Sequence, residues 1–219
     1  MKLLLTSAGF SNKSIVEALE SLASKPLGEL KVAFNNTASN FEGGDKSDWL
    51  IKDLIDCKNM FVSVDIVDIS ALPQEKWEPR LRDADVLLFE GGNTFHLMYW
   101  IRKSGLDKIL PELLKDRIYV GISAGSMVMT QGLFLSESEL LYDEDPGDDI
   151  AQDKALGYVD FNIMPHFNSK DFPDVNEINL KRVSKESLYP LYALDDDSAI
   201  KINGDKIEVV SERVWRKFD

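Results

Sequence analysis

Gly121-Ile122-Ser123-Ala124-Gly125 sets a serine between two glycines, directly after the apolar run Ile118 to Ile122. The pattern G-x-S-x-G fits a sharp strand-to-helix turn that exposes the serine hydroxyl, the glycines removing Cβ atoms that would clash. A helix starting there leaves unpaired N–H groups, so the Ala124 amide can face a developing oxyanion. Ser123 is then a candidate nucleophile, and a serine hydroxyl needs a base. The chain has two histidines. His166, in Pro165-His166-Phe167, ends an apolar run where a loop begins and can reach a serine on the same rim. His96 lies three residues into a helix and suits a structural or substrate-contact role.

A second glycine turn, Glu90-Gly91-Gly92-Asn93-Thr94, closes the apolar run that begins at Val86. Asn93 or Thr94 can cap the helix that follows. Gly91 and Gly92 allow backbone N–H groups to approach a substrate carbonyl and to complete an oxyanion hole with Ala124. Gly91, Asn93 and His96 are the candidates for substrate contact. An acid should orient the histidine. Asp195-Asp196-Asp197 offers three carboxylates at a strand exit, with Asp196 pointing opposite to its neighbours. Asp143, Asp145, Asp148 and Asp149 offer the rival chain order, with the acid between serine and histidine.

These residues need a scaffold that brings two strand ends together. Apolar runs at Lys2 to Thr6, Leu30 to Asn35, Phe61 to Asp68, Val86 to Glu90 and Ile118 to Ile122 alternate with helix-like segments. The helices are expected over Ser11 to Ala23, Lys46 to Cys57, Glu75 to Arg82, Asn93 to Lys103 and Leu106 to Lys115. This is an α/β pattern: a doubly wound, mostly parallel sheet flanked by helices, whose ligands collect beyond the carboxyl ends of the strands. Asn203-Gly204-Asp205, between Ala199 to Ile202 and Lys206 to Val210, predicts a short antiparallel hairpin at the sheet's edge. Glu137 to Asp153 reads as a charge-rich, unpacked loop or a flap near the site. Trp49, Trp77, Trp100 and Trp215 read as core or interface aromatics.

The 219 residues suit one domain, 1–219, and 44% hydrophobic content supplies a core. A formal charge of −13 repels phosphate backbones and anionic membranes, so neither nucleic acid nor membrane is expected as a partner. The single cysteine, Cys57, excludes an internal disulfide and reads as a small core residue. No spacing resembles a zinc site, and a reducing cytoplasm suits the chain. The N-terminal apolar run is too short for a signal peptide and reads as a first buried strand.

Leu88 to Phe95, Gly121 to Gly125, Pro165-His166-Phe167 and Ala193 to Ala199, taken together, resemble the dipeptidase E family, which includes aspartyl dipeptidases and the related cyanophycinases. The resemblance implies a cytoplasmic serine peptidase without cofactor or metal, with a fold similar to class I glutamine amidotransferases. Its triad matches Ser123, His166 and Asp196, and its oxyanion amides match Gly92 and Ala124. The family's acid is often glutamate, and Asp195 is the substitute if Asp196 does not serve. Aspartyl dipeptidases carry glutamine where this chain has His96. They also carry a basic residue near the position of Asn176, with Lys181 and Arg182 about one helical turn away. The expected activity is hydrolysis of dipeptides or short peptides at the N-terminal residue, by a monomer or homodimer. The rival readings are a small esterase on the same serine turn and an idle relative that binds a peptide or metabolite.

Overall fold

Val86–Phe89 and Ile118–Ile122 are buried at every position, as strands covered on both faces must be. They are the fourth and fifth strands, β4 and β5, of a computed structural model that describes residues 1–41, 43, 48–132, 141–142, 144 and 154–219. With β1 (Lys2–Thr6), β2 (Lys31–Asn35) and β3 (Ser63–Val67) they form a parallel sheet. The hairpin of β8 (Ser198–Asn203) and β9 (Lys206–Ser211) joins antiparallel beside β1, and the full order is β3-β2-β4-β5-β1-β8-β9. The two-residue turn is Gly204-Asp205, since Asn203 still pairs with Lys206.

The helices of this half are α1 (Lys13–Leu22), α2 (Asp48–Met60), α3 (Gln74–Asp83), α4 (Thr94–Lys103), α5 (Leu106–Leu113) and the short α6 (Ala124–Met127). Strand alternation divides the core between them. Leu4, Phe34, Val86, Leu88 and Val120 pack with Ile15, Leu19 and Cys57 of α1 and α2. Leu3, Leu5, Leu87, Phe89 and Tyr119 pack with Trp77, Phe95, Ile101 and Leu110 of α3, α4 and α5. Glu90, next in the alternation after Leu88, falls on the α2 side.

A second sheet departs from the expectation of a hairpin alone. It comprises β6 (Asn162–Met164), α7 beside it (Glu177–Ser184), β7 (Leu191–Leu194) and β10 (Trp215–Phe218). The order is β10-β7-β6, with β6 parallel and β10 antiparallel to β7. Strands β6 and β10 are three and four residues long, and β10 is half cationic, so neither presents an apolar run of strand length. The chain crosses from the second sheet to the first through Asp195-Asp196-Asp197, between β7 and β8. Among the described residues no helix is long and apolar enough to cross a membrane.

Candidate active site

From Ile118 to Thr130 every residue is buried except Ser123. Its backbone sits at φ 48° and ψ −108°, a conformation that costs on the order of 1–3 kcal/mol and persists only where neighbours enforce it. Here the Ser123 N–H donates to Thr6 O at 3.1 Å, and Ser123 O accepts from the amides of Ser126 at 2.8 Å and Met127 at 3.0 Å. The flanking glycines are steric requirements. A Cβ on Gly121 would lie 2.6 Å from the Gly125 carbonyl, and one on Gly125 would lie 2.0 Å from Phe89 O.

His166 Nε2 is 2.9 Å from Ser123 Oγ, and its Nδ1 is 2.6 Å from Asp196 Oδ1. The carboxylate on the Nδ1 side fixes the proton there and leaves the Nε2 lone pair for the serine hydroxyl. His166 is itself at φ 62°, and its N–H donates to Ser7 Oγ at 2.8 Å. Ser7 Oγ in turn lies 3.3 Å from Asp196 Oδ1. Phe172 stacks on the imidazole with ring centroids 4.5 Å apart. Burial raises the Asp196 pKa, but hydrogen bonding and charge from His166, with hydrogen bonds from Ser169 and Ser7, outweigh it and hold the carboxyl below its ordinary range.

The other two aspartates are spent on the turn. Asp195 accepts from Ser198 Oγ at 2.5 Å, Val214 N at 2.7 Å and Asp197 N at 3.2 Å, and Asp197 pairs with Arg213 at 2.8 Å. Of the rival acids, Asp143, Asp145, Asp148 and Asp149 lie outside the described residues, as does most of Glu137 to Asp153. Glu144 departs from the unpacked loop expected there: it is buried, and its Oε1 accepts from Thr94 N at 2.7 Å and Thr94 Oγ1 at 2.8 Å. The unpaired amides at the start of α4 attract a carboxylate.

Around the second glycine turn the amides sort themselves. Gly91 N–H donates to Glu90 Oε1 at 2.8 Å, and Asn93 N–H donates to Ala38 O at 3.1 Å. Between them the Gly92 N–H has no acceptor among the described residues, and neither has the Ala124 N–H at the start of α6. Gly92 is partly exposed while Gly91 is buried. Gly91 was expected to offer an amide to a substrate; its amide is instead taken by Glu90. Gly92 adopts φ 123°, and a Cβ there would lie 2.4 Å from Ala38 O, so only glycine fits.

Asn93 Oδ1 accepts from His96 N at 2.8 Å, the helix-capping alternative of its two readings. His96 packs between Phe41 and Trp100, ring centroids 5.1 and 6.4 Å away. Burial lowers its pKa, partly offset by Asp68. Asn176, near the expected basic position, caps α7 by accepting from Ile178 N and Asn179 N at 3.1 Å, and Lys181 pairs with Glu177 at 2.5 Å. Among the described residues no three His, Cys, Asp or Glu side chains converge as a metal-ligand set. Sequence reasoning gave no role to Ser7 or Phe172. A polar residue at the rim end of β1 was the available signal for Ser7, whereas Phe172 gave none. Trp49, 38% exposed, has its ring 3.9 Å from where a Cβ on Gly91 would sit.

Fold and site together define an α/β protein with a serine on a strained strand-to-helix turn, a histidine and an aspartate in hydrogen-bonded line with it. A model of Peptidase family S51 matches residues 3–210, and the chain belongs to that family of peptidases. It is 28% identical over 153 residues to the uncharacterized peptidase Lmo0363 of Listeria monocytogenes, covering 69% of this chain and 71% of that one. It is 31% identical over 155 residues to peptidase E of Shewanella oneidensis, a match that spans 67% of this chain and 62% of the relative. The crystal structure of a putative peptidase E protein from Listeria monocytogenes superposes with TM-score 0.79 at 26% identity, over 97% of this chain and 98% of that one. A peptidase from an acI-B1 Actinobacterium shares the fold, with TM-score 0.68 at 16% identity over 98% and 88% of the chains.

Proposed function

We propose that the protein is a serine exopeptidase that hydrolyses dipeptides or short peptides at the N-terminal residue, with Ser123, His166 and Asp196 as its triad. The observation that carries this reading is the line from Ser123 Oγ through the imidazole to Asp196, at 2.9 and 2.6 Å. His166 Nε2 takes the hydroxyl proton as Oγ attacks the scissile carbonyl. Asp196 holds the Nδ1 proton and stabilises the imidazolium that results. The carbonyl oxygen, now an oxyanion, is met by the amides of Gly92 and Ala124, about 3 kcal/mol being the usual worth of one such donor. His166 then gives its proton to the departing amine, and a water attacks the acyl-enzyme by the same route. Every step is assigned to a side chain or amide of the chain itself.

The substrate's N-terminal side chain is proposed to be neutral. Asn176, near the position where aspartyl dipeptidases carry a basic residue, is uncharged and caps α7, while Lys181 is paired with Glu177 and Arg182 is exposed about one turn further along the helix, so no cation stands at that position itself. The test is hydrolysis of a panel of Xaa-Leu dipeptides, Asp-Leu included, by wild type and Ser123→Ala in buffer containing a chelator. Ser123-dependent cleavage that favours neutral residues over Asp is expected. Unchanged turnover in Ser123→Ala would overturn the mechanism, and a preference for Asp-Leu would overturn the specificity.

A further inference from the structure

Glu90 is completely buried at the end of β4, and Asp53 of α2, 6% exposed, faces it closely enough for its charge to raise the Glu90 pKa. Glu90 Oε1 accepts the Gly91 N–H at 2.8 Å, while Oε2 is buried with no N–H or hydroxyl donor among the described residues. Two carboxyl groups buried beside one another cannot both ionise cheaply. The groups facing the pair are Lys52, whose Nζ is 3.6 Å from Asp53 Oδ1, together with Asp56 and the Cys57 thiol, all on α2. From the loop after β1, the Cβ position of Gly9 lies 3.0 Å from Asp53 Oδ1, which closes that side without a charge. Burial followed by the Asp53 charge pushes the Glu90 carboxyl well above its ordinary range. Burial likewise raises Asp53 to about 6, against the opposing charge of Lys52.

The hydrogen bond from Gly91 lies one peptide before the free Gly92 amide, and a Cβ on Gly91 would be 3.3 Å from Ser123 Cβ. We propose that Glu90, buried at the end of β4 with its Oε1 accepting the Gly91 N–H, is a positioning residue that fixes the Gly91 peptide. It thereby aims the Gly92 N–H at the oxyanion formed on Ser123. This rests on the serine-peptidase reading above and extends it to a pair of acids outside the triad. Glu90→Gln keeps the acceptor for Gly91 and offers an N–H towards Asp53, but has no proton to lose. Glu90→Leu keeps the volume and loses the bond to Gly91.

The experiment measures the second-order rate at which a fluorophosphonate labels the active-site serine, from about pH 6 to pH 10, a range spanning the titration of a carboxyl raised by burial. Wild type, Ser123→Ala, Glu90→Leu and Glu90→Gln are compared, with thermal melts as the folding check. The expected result is a loss of about 100-fold in Glu90→Leu, the scale of removing one oxyanion donor. Most of that loss is restored in Glu90→Gln, and the wild-type rate falls at alkaline pH where that of Glu90→Gln does not. Superimposable pH profiles for wild type and Glu90→Gln, or a folded Glu90→Leu that labels at the wild-type rate, overturn the inference while leaving the triad intact. If Glu90→Leu does not fold, the pH profiles alone decide. Labelling that survives in Ser123→Ala overturns the serine reading itself.

Discussion

His166 Nδ1 and Asp196 Oδ1 stand 2.6 Å apart although the two residues reach that point from different directions. His166 follows β6 of the small sheet, and Asp196 lies in the turn by which the chain leaves that sheet for the large one. Ser7, at the end of β1 in the large sheet, ties both together: it accepts the His166 N–H and lies 3.3 Å from the same carboxylate oxygen. The arrangement spans the junction of the two sheets, so its geometry depends on how they are held. Five substitutions test the parts separately.

Replacing Asp196 by Asn should preserve the fold and lower kcat on the order of 10⁴-fold, because the amide can present an N–H to Nδ1 and favour the wrong imidazole tautomer. Asp195→Asn should retain most of the activity and lose stability instead, since Asp195 holds the turn through Ser198, Asp197 and Val214. Dipeptide hydrolysis beside urea melts separates the two. Equal kcat losses in both variants would contradict the assignment of the acid.

Ser7→Ala leaves the half-buried His166 N–H without its acceptor. A stability loss of about 1–3 kcal/mol is expected, with a fall in kcat and little change in KM, since the group touches the triad and not the substrate. Chemical denaturation and steady-state kinetics on the same preparation check both.

Gly92→Ala should fold and react poorly. The added methyl meets Ala38 O at 2.4 Å, and φ 123° is strained for any residue with a Cβ, so the turn must shift and take its amide with it. A fall in kcat of about 100-fold is the expected scale for a lost oxyanion donor. A variant with wild-type kcat would remove Gly92 from the mechanism.

Two carboxyls give stability opposite dependences on pH. Asp196 titrates lower in the fold than in the unfolded chain, so its contribution is full above about pH 4 and is lost as pH falls through the folded value. Asp53 titrates higher, at about 6, so the folded state holds the extra proton and stability declines as pH rises from about 4 to about 6. Urea midpoints across this range should show a smaller decline in Asp53→Asn, the part that remains belonging to the buried Glu90. In Asp196→Asn the loss on the acid side should be smaller than in wild type. A parallel shift of either variant's curve at all pH values would refute the corresponding assignment.

Much of this was present in local sequence. Unbroken apolar runs marked buried parallel strands, and glycines at 121 and 125 marked a turn too tight for side chains. Asn-Gly marked the hairpin to within one residue. The serine could be named from its glycine-flanked turn, the histidine because the chain has only two, and a cluster of three acids from its place at a strand exit. What a strand pattern conveys is which residues share a face, and this follows from a backbone period that is local.

Selection among those residues was not local. Strand period and family likeness pointed to Asp196 with Asp195 as its substitute, but only the crossing from β7 to β8 brings Asp196 to His166 while Asp195 accepts from Asp197 N, Ser198 Oγ and Val214 N. Residue type alone let either Gly91 or Gly92 offer an amide to a substrate carbonyl, and family likeness chose Gly92; in the fold Glu90 takes the Gly91 amide and the Ala38 carbonyl closes the space around Gly92. Ser7 meets His166, and Asp53 meets Glu90, from distant parts of the chain. Their roles come from distances set by packing the two sheets and α2 together, and no short window of sequence contains those distances.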